Sequence, residues 1–171
     1  MVRILSPEEA AARTGDLANI LLDAVEGGAS VSFMAGFSRT DAEAFYAKAA
    51  GEAAAGRRVV FAAWDGDELV GTVQLLLDTP PNQPHRAEIA KMLVLRKARR
   101  RGFAKSLMLA AEAEAKARGR TLLTFDTMAG GAAEKLYLGL RYLRVGEIPH
   151  YALWPDGSGP GATAIFYKLL E

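Results

Sequence analysis

The chain has 171 residues, half of them apolar and 24% charged, as expected of one globular domain spanning residues 1–171 with a real core. Formal net charge is +1, so overall charge gives no reason to invoke nucleic acid or an anionic membrane. With no cysteine and only His85 and His150, disulfides, a Cys- or His-rich metal site and a Cys-linked acyl-enzyme are excluded.

Taken in order, Val2 to Leu5 reads as a short strand. Ser6, Pro7 and Glu9 form a capping box for a helix running to about Glu26, with Leu17, Ile20, Leu21 and Val25 on one face. A loop with apolar content follows Gly27-Gly28. A second helix is predicted from Thr40 to Ala55, capped near Ser38 or Thr40. Strands Arg58–Trp64 and Glu68–Leu77 flank an Asp65-Gly66-Asp67 turn, a hairpin signal. A Pro-rich loop leads into a strand over Ala87–Leu95, then a basic turn, then a helix opened by Gly102-Phe103-Ala104 and stopped at Arg118-Gly119. Ala104, Leu107, Met108, Ala111 and Ala115 make that helix's apolar face, and Glu112 and Lys116 an i, i+4 pair on its solvent side. Strand Thr121–Thr127, helix Ala132–Leu140, strand Arg141–Ile148, the turn-rich WPDGSGPG and strand Ala162–Leu170 complete the pattern. No internal repeat or interdomain linker is visible. No apolar run is long enough to cross a membrane and no leader pattern opens the chain, so a cytoplasmic location is expected.

The stretch Arg86–Met108 organises the rest. A helix N-terminus has unpaired N–H groups and a partial positive charge, so it attracts phosphate. Gly102 permits positive φ and close approach of a ligand to the backbone. Arg96, Lys97, Arg99, Arg100, Arg101 and Lys105 cluster around it, six of the chain's 21 cationic side chains. A basic run by itself reads as a solvated loop. Set between a strand and a helix, it reads as an anion nest. No Walker-type motif and no G-x-G-x-x-G after a strand is present, so those nucleotide sites are excluded. The central βαβ crossover with flanking hairpins implies an α/β (α+β) fold: a mixed sheet with helices on both faces. A ferredoxin-like domain is the alternative, and the β-α-α-β order at the N-terminus argues against it.

Arg99-Arg100-Arg101-Gly102-Phe103-Ala104 resembles the R/Q-x-x-G-x-G/A signature of the GNAT superfamily of acetyl-CoA-dependent N-acetyltransferases, where this turn binds the pyrophosphate of coenzyme A. Arg100 stands where many members have Gly, and Arg96 where many have Pro. The resemblance implies the GNAT fold: a mostly antiparallel sheet whose fourth and fifth strands run parallel and splay apart to admit the acetyl-pantetheine arm. GGASVSFMAG, RAEIAKMLVL, FDTMAGGAAEKLY, LRYLRVGEIPHYALWPDG and TAIFYKLL, spread over residues 27–170, look like the matching stretches of the tabtoxin-resistance acetyltransferases. That subgroup acetylates tabtoxinine-β-lactam, a toxic amino acid, so a role in toxin resistance is implied.

The family assigns roles that carry over residue by residue. The main chain of Met92, Leu93 and Val94 would lie along the pantetheine and acetyl group, and residues Arg99 to Lys105 would hold the cofactor. Glu88 and Asp126 match acidic positions given base or substrate-binding work, against the plain reading of solvated or capping carboxylates. Tyr137 is the candidate acid near the sulfur, against a reading as core aromatic. Tyr142 and Tyr151 read as core or pocket wall, and His150 as a surface residue, with a place in the substrate pocket as the alternative. Without Cys or a Ser-His-acid set, direct transfer in a ternary complex is expected over an acyl-enzyme. The expected partners are acetyl-CoA and a small-molecule amine, with no metal, nucleic acid or membrane, in a monomer or homodimer. The other readings are a non-catalytic acyl-CoA sensor or scaffold, and a nucleic-acid module built on Arg96 to Lys105. The latter lacks interleaved aromatics and overall basicity.

Overall fold

The computed structural model describes residues 1–170. The elements are β1 Val2–Ile4, α1 Pro7–Ala12, α2 Thr14–Glu26, α3 Arg39–Ala54, β2 Arg58–Asp65, β3 Glu68–Leu76, β4 Arg86–Val94, α4 Phe103–Ala117, β5 Leu122–Met128, α5 Ala132–Gly139, β6 Leu143–Leu153 and β7 Pro160–Leu169, with a 3₁₀ turn at Arg96–Ala98. The strands form one seven-stranded sheet in the order β1-β2-β3-β4-β5-β7-β6. Only β4 and β5 are parallel; every other neighbouring pair is antiparallel. This is the mixed sheet with a central parallel βαβ unit that the sequence implies.

Alternating side chains on the strands build a core on each face. On one face Leu17, Ile20 and Leu21 of α2 and Tyr46 of α3 pack on Val60, Ala62 and Leu93. On the other, Leu107, Met108, Ala111 and Ala115 of α4 and Tyr137 of α5 pack on Phe61, Val73, Leu123 and Phe166. Leu107 and Met108 are fully buried, worth about 1.5–3 kcal/mol each relative to exposure.

Three details depart from the sequence reading. The helix expected over Pro7–Glu26 is two, because the chain bends at Arg13 (φ −108°, ψ 15°) before the weak helix formers Thr14 and Gly15. β6 runs to Leu153 rather than ending at Ile148. A bulge between Ile148 and Ala152, with His150 at φ +53°, absorbs Pro149 within the strand. Glu112 is not on the solvent side and does not pair with Lys116. It is 8% exposed and receives a 2.7 Å hydrogen bond from Lys168 Nζ of β7, which also donates to the Leu140 carbonyl at 2.9 Å. The ammonium lies 5.2 Å from the Tyr142 ring centroid. Burial, with Glu112 adding to it, pushes the Tyr142 phenol well above its ordinary range. The pair ties α4 and the residue that ends α5 to the last strand.

Breaking a buried pair from one side strands the other charge. Lys168→Met is therefore expected to lower stability by about 3–5 kcal/mol, and Glu112→Leu combined with Lys168→Met to recover most of the loss. Urea unfolding of the two variants measures this; a single variant as stable as the parent contradicts it.

Candidate active site

The site begins where the parallel pair ends. β4 and β5 pair only at Arg86–Glu88 with Leu122–Thr124. Beyond that point β5 stays with β7 through Met128, while β4 runs on to Val94 beside β3 alone. The foot of the wedge is clamped. Arg86 donates to Thr124 Oγ1 at 2.9 Å, and Arg120 donates to the carbonyls of Pro84, Arg86 and Leu77 at 2.5, 3.1 and 3.3 Å.

Two cavities open from the wedge. The first, about 650 Å³, lies between Met92–Val94, the basic turn, the start of α5 and the loop after α2. Gly102 caps α4 at φ +86°, and a Cβ there would meet no atom within 4 Å. The turn thus presents open space in front of the unpaired N–H groups of a 15-residue helix, the geometry of a phosphate cradle. The structure divides the six cations of this turn into two sets. Arg96 donates to Asp23 from both its backbone N–H and Nε at 2.8 Å. Lys97 reaches Glu68 at 2.6 Å, and Arg101 grips Asp65 at 2.5 and 2.9 Å. These three are struts. Arg99, Arg100 and Lys105 line the cavity with Phe103 and Ala104. Arg101 is thus the one residue of the Arg99–Lys105 run whose side chain is turned away, onto the β2–β3 turn. Two departures from the signature also acquire reasons. A proline at position 96 could not donate to Asp23. Arg100 sits at φ +61°, in the left-handed region that glycine adopts without strain.

The second cavity, about 540 Å³, lies on the α2–α3 side of the sheet. Its walls are the Ser30–Met34 loop, β4, β5 and the tip of the β6–β7 hairpin, including Tyr151 and Trp154. Glu88 and Asp126 both face it. Glu88 lies 3.7 Å from Arg86. Asp126 Oδ2 is 2.8 Å from the hydroxyl of Thr163 on β7, which lies equally near the Thr127 carbonyl, so its single proton serves one at a time. Both carboxylates are open to the cavity rather than enclosed in a dry pocket.

Tyr137 stands between the cavities and lines both, with Met92, Leu93 and Thr127. Its ring is buried against Phe125, Tyr142 and Phe166. Burial pushes its phenol up to about 12, with hydrogen bonding to Thr127 holding back part of the rise. The core and acid readings of this residue are thus compatible: the ring is core, and the edge faces the junction. Tyr142 is core, Tyr151 is pocket wall, and His150 is exposed away from either cavity.

Sequence reasoning passed over Lys91. It occupies a bulge in β4 at φ +49° and lines the second cavity, its ammonium donating to Ser32 Oγ at 3.1 Å. Burial holds its pKa below the ordinary lysine value; Arg58 adds to this, and Asp126 and Glu88 partly oppose it. A lone cation between Ala90 and Met92 in an apolar strand was the available signal. Among the described residues no cluster of His, Asp or Glu suits a metal ion, and no helix is long and apolar enough to cross a membrane.

Residues 22–140 match the model of the acetyltransferase (GNAT) family. Solved structures share the fold at low identity. An N-acetyltransferase from Staphylococcus aureus Mu50 superposes with a TM-score of 0.83 at 19% identity, over 100% of this chain and 98% of that one. A ribosomal-protein-alanine N-acetyltransferase from Brucella melitensis gives 0.81 at 20%, over 99% of each chain. A protein from Salmonella typhimurium solved with its cofactor acetyl-CoA gives 0.79 at 15%, over 100% of this chain and 94% of that one.

The left-handed Arg100 generates a stability prediction. Removing its Cβ relieves about 1–2 kcal/mol of strain, against about 0.5–1 kcal/mol of added chain entropy. Arg100→Gly should therefore melt slightly higher than the parent while binding polyphosphate-bearing nucleotides more weakly. Calorimetry of the unliganded and liganded variant checks both halves.

Proposed function

The chain belongs to the acetyltransferase (GNAT) family, and on that premise we propose that it transfers the acetyl group of acetyl-CoA to the amine of a small molecule. The supporting observation is the meeting of two chemically distinct cavities at one wedge. One has a cationic phosphate cradle and the other a pair of carboxylates.

In this reading, Arg99, Arg100, Lys105 and the α4 N-terminus hold the phosphates. The free edge of β4 beyond Glu88 offers backbone groups of Met92–Val94 to the pantetheine arm and the thioester carbonyl, which lowers the barrier by electrostatic stabilisation. The bound acetyl-CoA supplies the activated acetyl group. The acceptor arrives from the other cavity. An aliphatic ammonium, with a reference pKa of about 10.4, must lose a proton before it can attack. Glu88 already has a cationic partner in Arg86, so it is assigned to orienting the ammonium. Asp126 has no cation within ion-pair distance among the described residues and accepts only from Thr163, so it is assigned the proton, directly or through a water. Tyr137 stays protonated through the neutral range and donates to the departing sulfur. Its pKa of about 12 exceeds the reference thiol value of about 8.5, so it supports the leaving thiolate as a hydrogen-bond donor and solvent completes the protonation. Likeness to the tabtoxin-resistance group in the Ser30–Met34 loop and the β6–β7 hairpin supports a toxin or amino acid acceptor, in a cytoplasmic monomer or homodimer.

Acetyl-CoA is expected to raise the melting temperature, because it binds the native state alone. Gly102→Val should remove that shift, since its side chain fills the cradle, and at positive φ it should also lower the unliganded melting point. A full shift in this variant removes the cradle from the argument.

Glu88→Gln and Asp126→Asn should each lower kcat/KM by about 10²–10⁴. Acetyl-CoA affinity should change little, because neither residue lines the cofactor cavity. Losses in the double variant should be less than additive, as for residues acting as a unit. Raising the pH should rescue Asp126→Asn more than Glu88→Gln, because the free amine then forms unaided. The assay follows free thiol with tabtoxinine-β-lactam, plain amino acids, polyamines and a peptide N-terminus as acceptors. Turnover of the peptide alone contradicts the small-molecule reading, and binding without any turnover identifies a sensor or scaffold.

A further inference from the structure

Lys91 has no role in the transfer described above, yet it is conspicuous in its surroundings. It is the only cation among the described residues lining the acceptor cavity. Its Nζ makes one hydrogen bond, to Ser32 Oγ at 3.1 Å. It stands 5.7 and 5.8 Å from the ring centroids of Phe33 and Phe45. No carboxylate lies within ion-pair distance of it among the described residues, whereas thirteen such pairs form elsewhere. Behind it Arg58, bound to Glu52 at 2.5 Å and to Gln74, adds positive potential. Beside it Glu88 and Asp126 add negative potential.

A partly desolvated ammonium without a counter-ion is costly, and an anion supplied from solution relieves that cost. The left-handed bulge fixes the strand that carries it, so the charge is placed before any ligand arrives. The geometry points to Lys91 as the specificity residue of the acceptor cavity: it receives a carboxylate of the acceptor, while Glu88 and Asp126 take the amine of the same molecule. The acceptor is then zwitterionic, an amino acid in the broad sense, rather than a simple amine or a polyamine. This deepens the proposed function and rests on it for the identity of the cavity. Phe33 and Phe45 lie beside the ammonium, and Ser32 accepts its one hydrogen bond.

The experiment compares kcat/KM for each of several amino acids with that for its carboxamide, which keeps the amine and removes the charge. A charge-assisted hydrogen bond predicts a preference for the acid of about 10- to 100-fold. In Lys91→Met that ratio should fall to near one, with acetyl-CoA affinity unchanged; Lys91→Arg should retain part of it. A ratio that survives in Lys91→Met, or a parent protein indifferent to the carboxylate, overturns the proposal while leaving acetyl transfer intact. A second measurement does not depend on turnover. An N-acetyl amino acid, which carries the carboxylate without the amine, should raise the Lys91 Nζ pKa read by NMR, and its methyl ester should not. Equal responses to the two compounds also overturn the assignment. If that titration succeeds and no acceptor is acetylated, the transferase reading fails and the anion site stands.

Discussion

The parting of β4 from β5 is the constraint on which the rest of this molecule depends. Two parallel strands that hydrogen bond for three residues and then separate leave backbone groups unpaired, and buried unpaired groups are costly. The fold spends its local resources on holding that separation at one place. Arg86 and Arg120 lock the foot of the wedge. β7 gives β5 an antiparallel partner along its whole length, so β5 can leave β4 without losing its own ladder. β4 likewise keeps β3 as far as Val94, so past Glu88 and Thr124 the two facing edges are open, and they lie beside the two cavities.

The two sides of the wedge differ in charge because each face of the sheet is covered differently. α4 begins at the top of the wedge on one face and brings its N-terminus and basic turn with it. On the other face the α2–α3 loop and the β6–β7 turn meet, Ala35 N–H donating to the Pro155 carbonyl at 2.8 Å, and they enclose a bowl lined by Glu88, Lys91 and Asp126. Tyr137, rooted in the aromatic cluster of Phe125, Tyr142 and Phe166, divides the two compartments. A rigid core group at that point keeps the cationic cavity and the carboxylate-lined cavity in fixed relation.

Much of this was legible in the sequence, for physical reasons that also explain what was not. Periodicity placed α4, because Leu107, Met108, Ala111 and Ala115 are apolar at helical spacing. Of the two caps expected for α3, Ser38 and Thr40, the structure uses Ser38, whose capping box forms with Asp41. Local signals failed where tertiary contacts decide. Glu112 has a solvated look beside Lys116, but its partner Lys168 is 56 residues away. Pro149 reads as a strand end, and a bulge carries the strand through it. Lys91 was hidden by the same effect, since strict alternation along β4 gives no warning that Lys91 and Ala90 share one side. Which cations of the basic turn face the cavity also depends on distant acids that no local pattern reveals.

That last dependence bears on how such a turn can spread or be transplanted. The cradle is contiguous in sequence, but its struts end on Asp23, Asp65 and Glu68, at separations of 73, 36 and 29 residues. A peptide copied from Arg96 to Lys105 into another scaffold carries the cavity-facing cations without the acids that orient the rest. Three charges that are quiet here would then be free to bind any polyanion. In the parent fold the acids act as blinkers as much as braces, narrowing a promiscuously basic segment to one direction of approach.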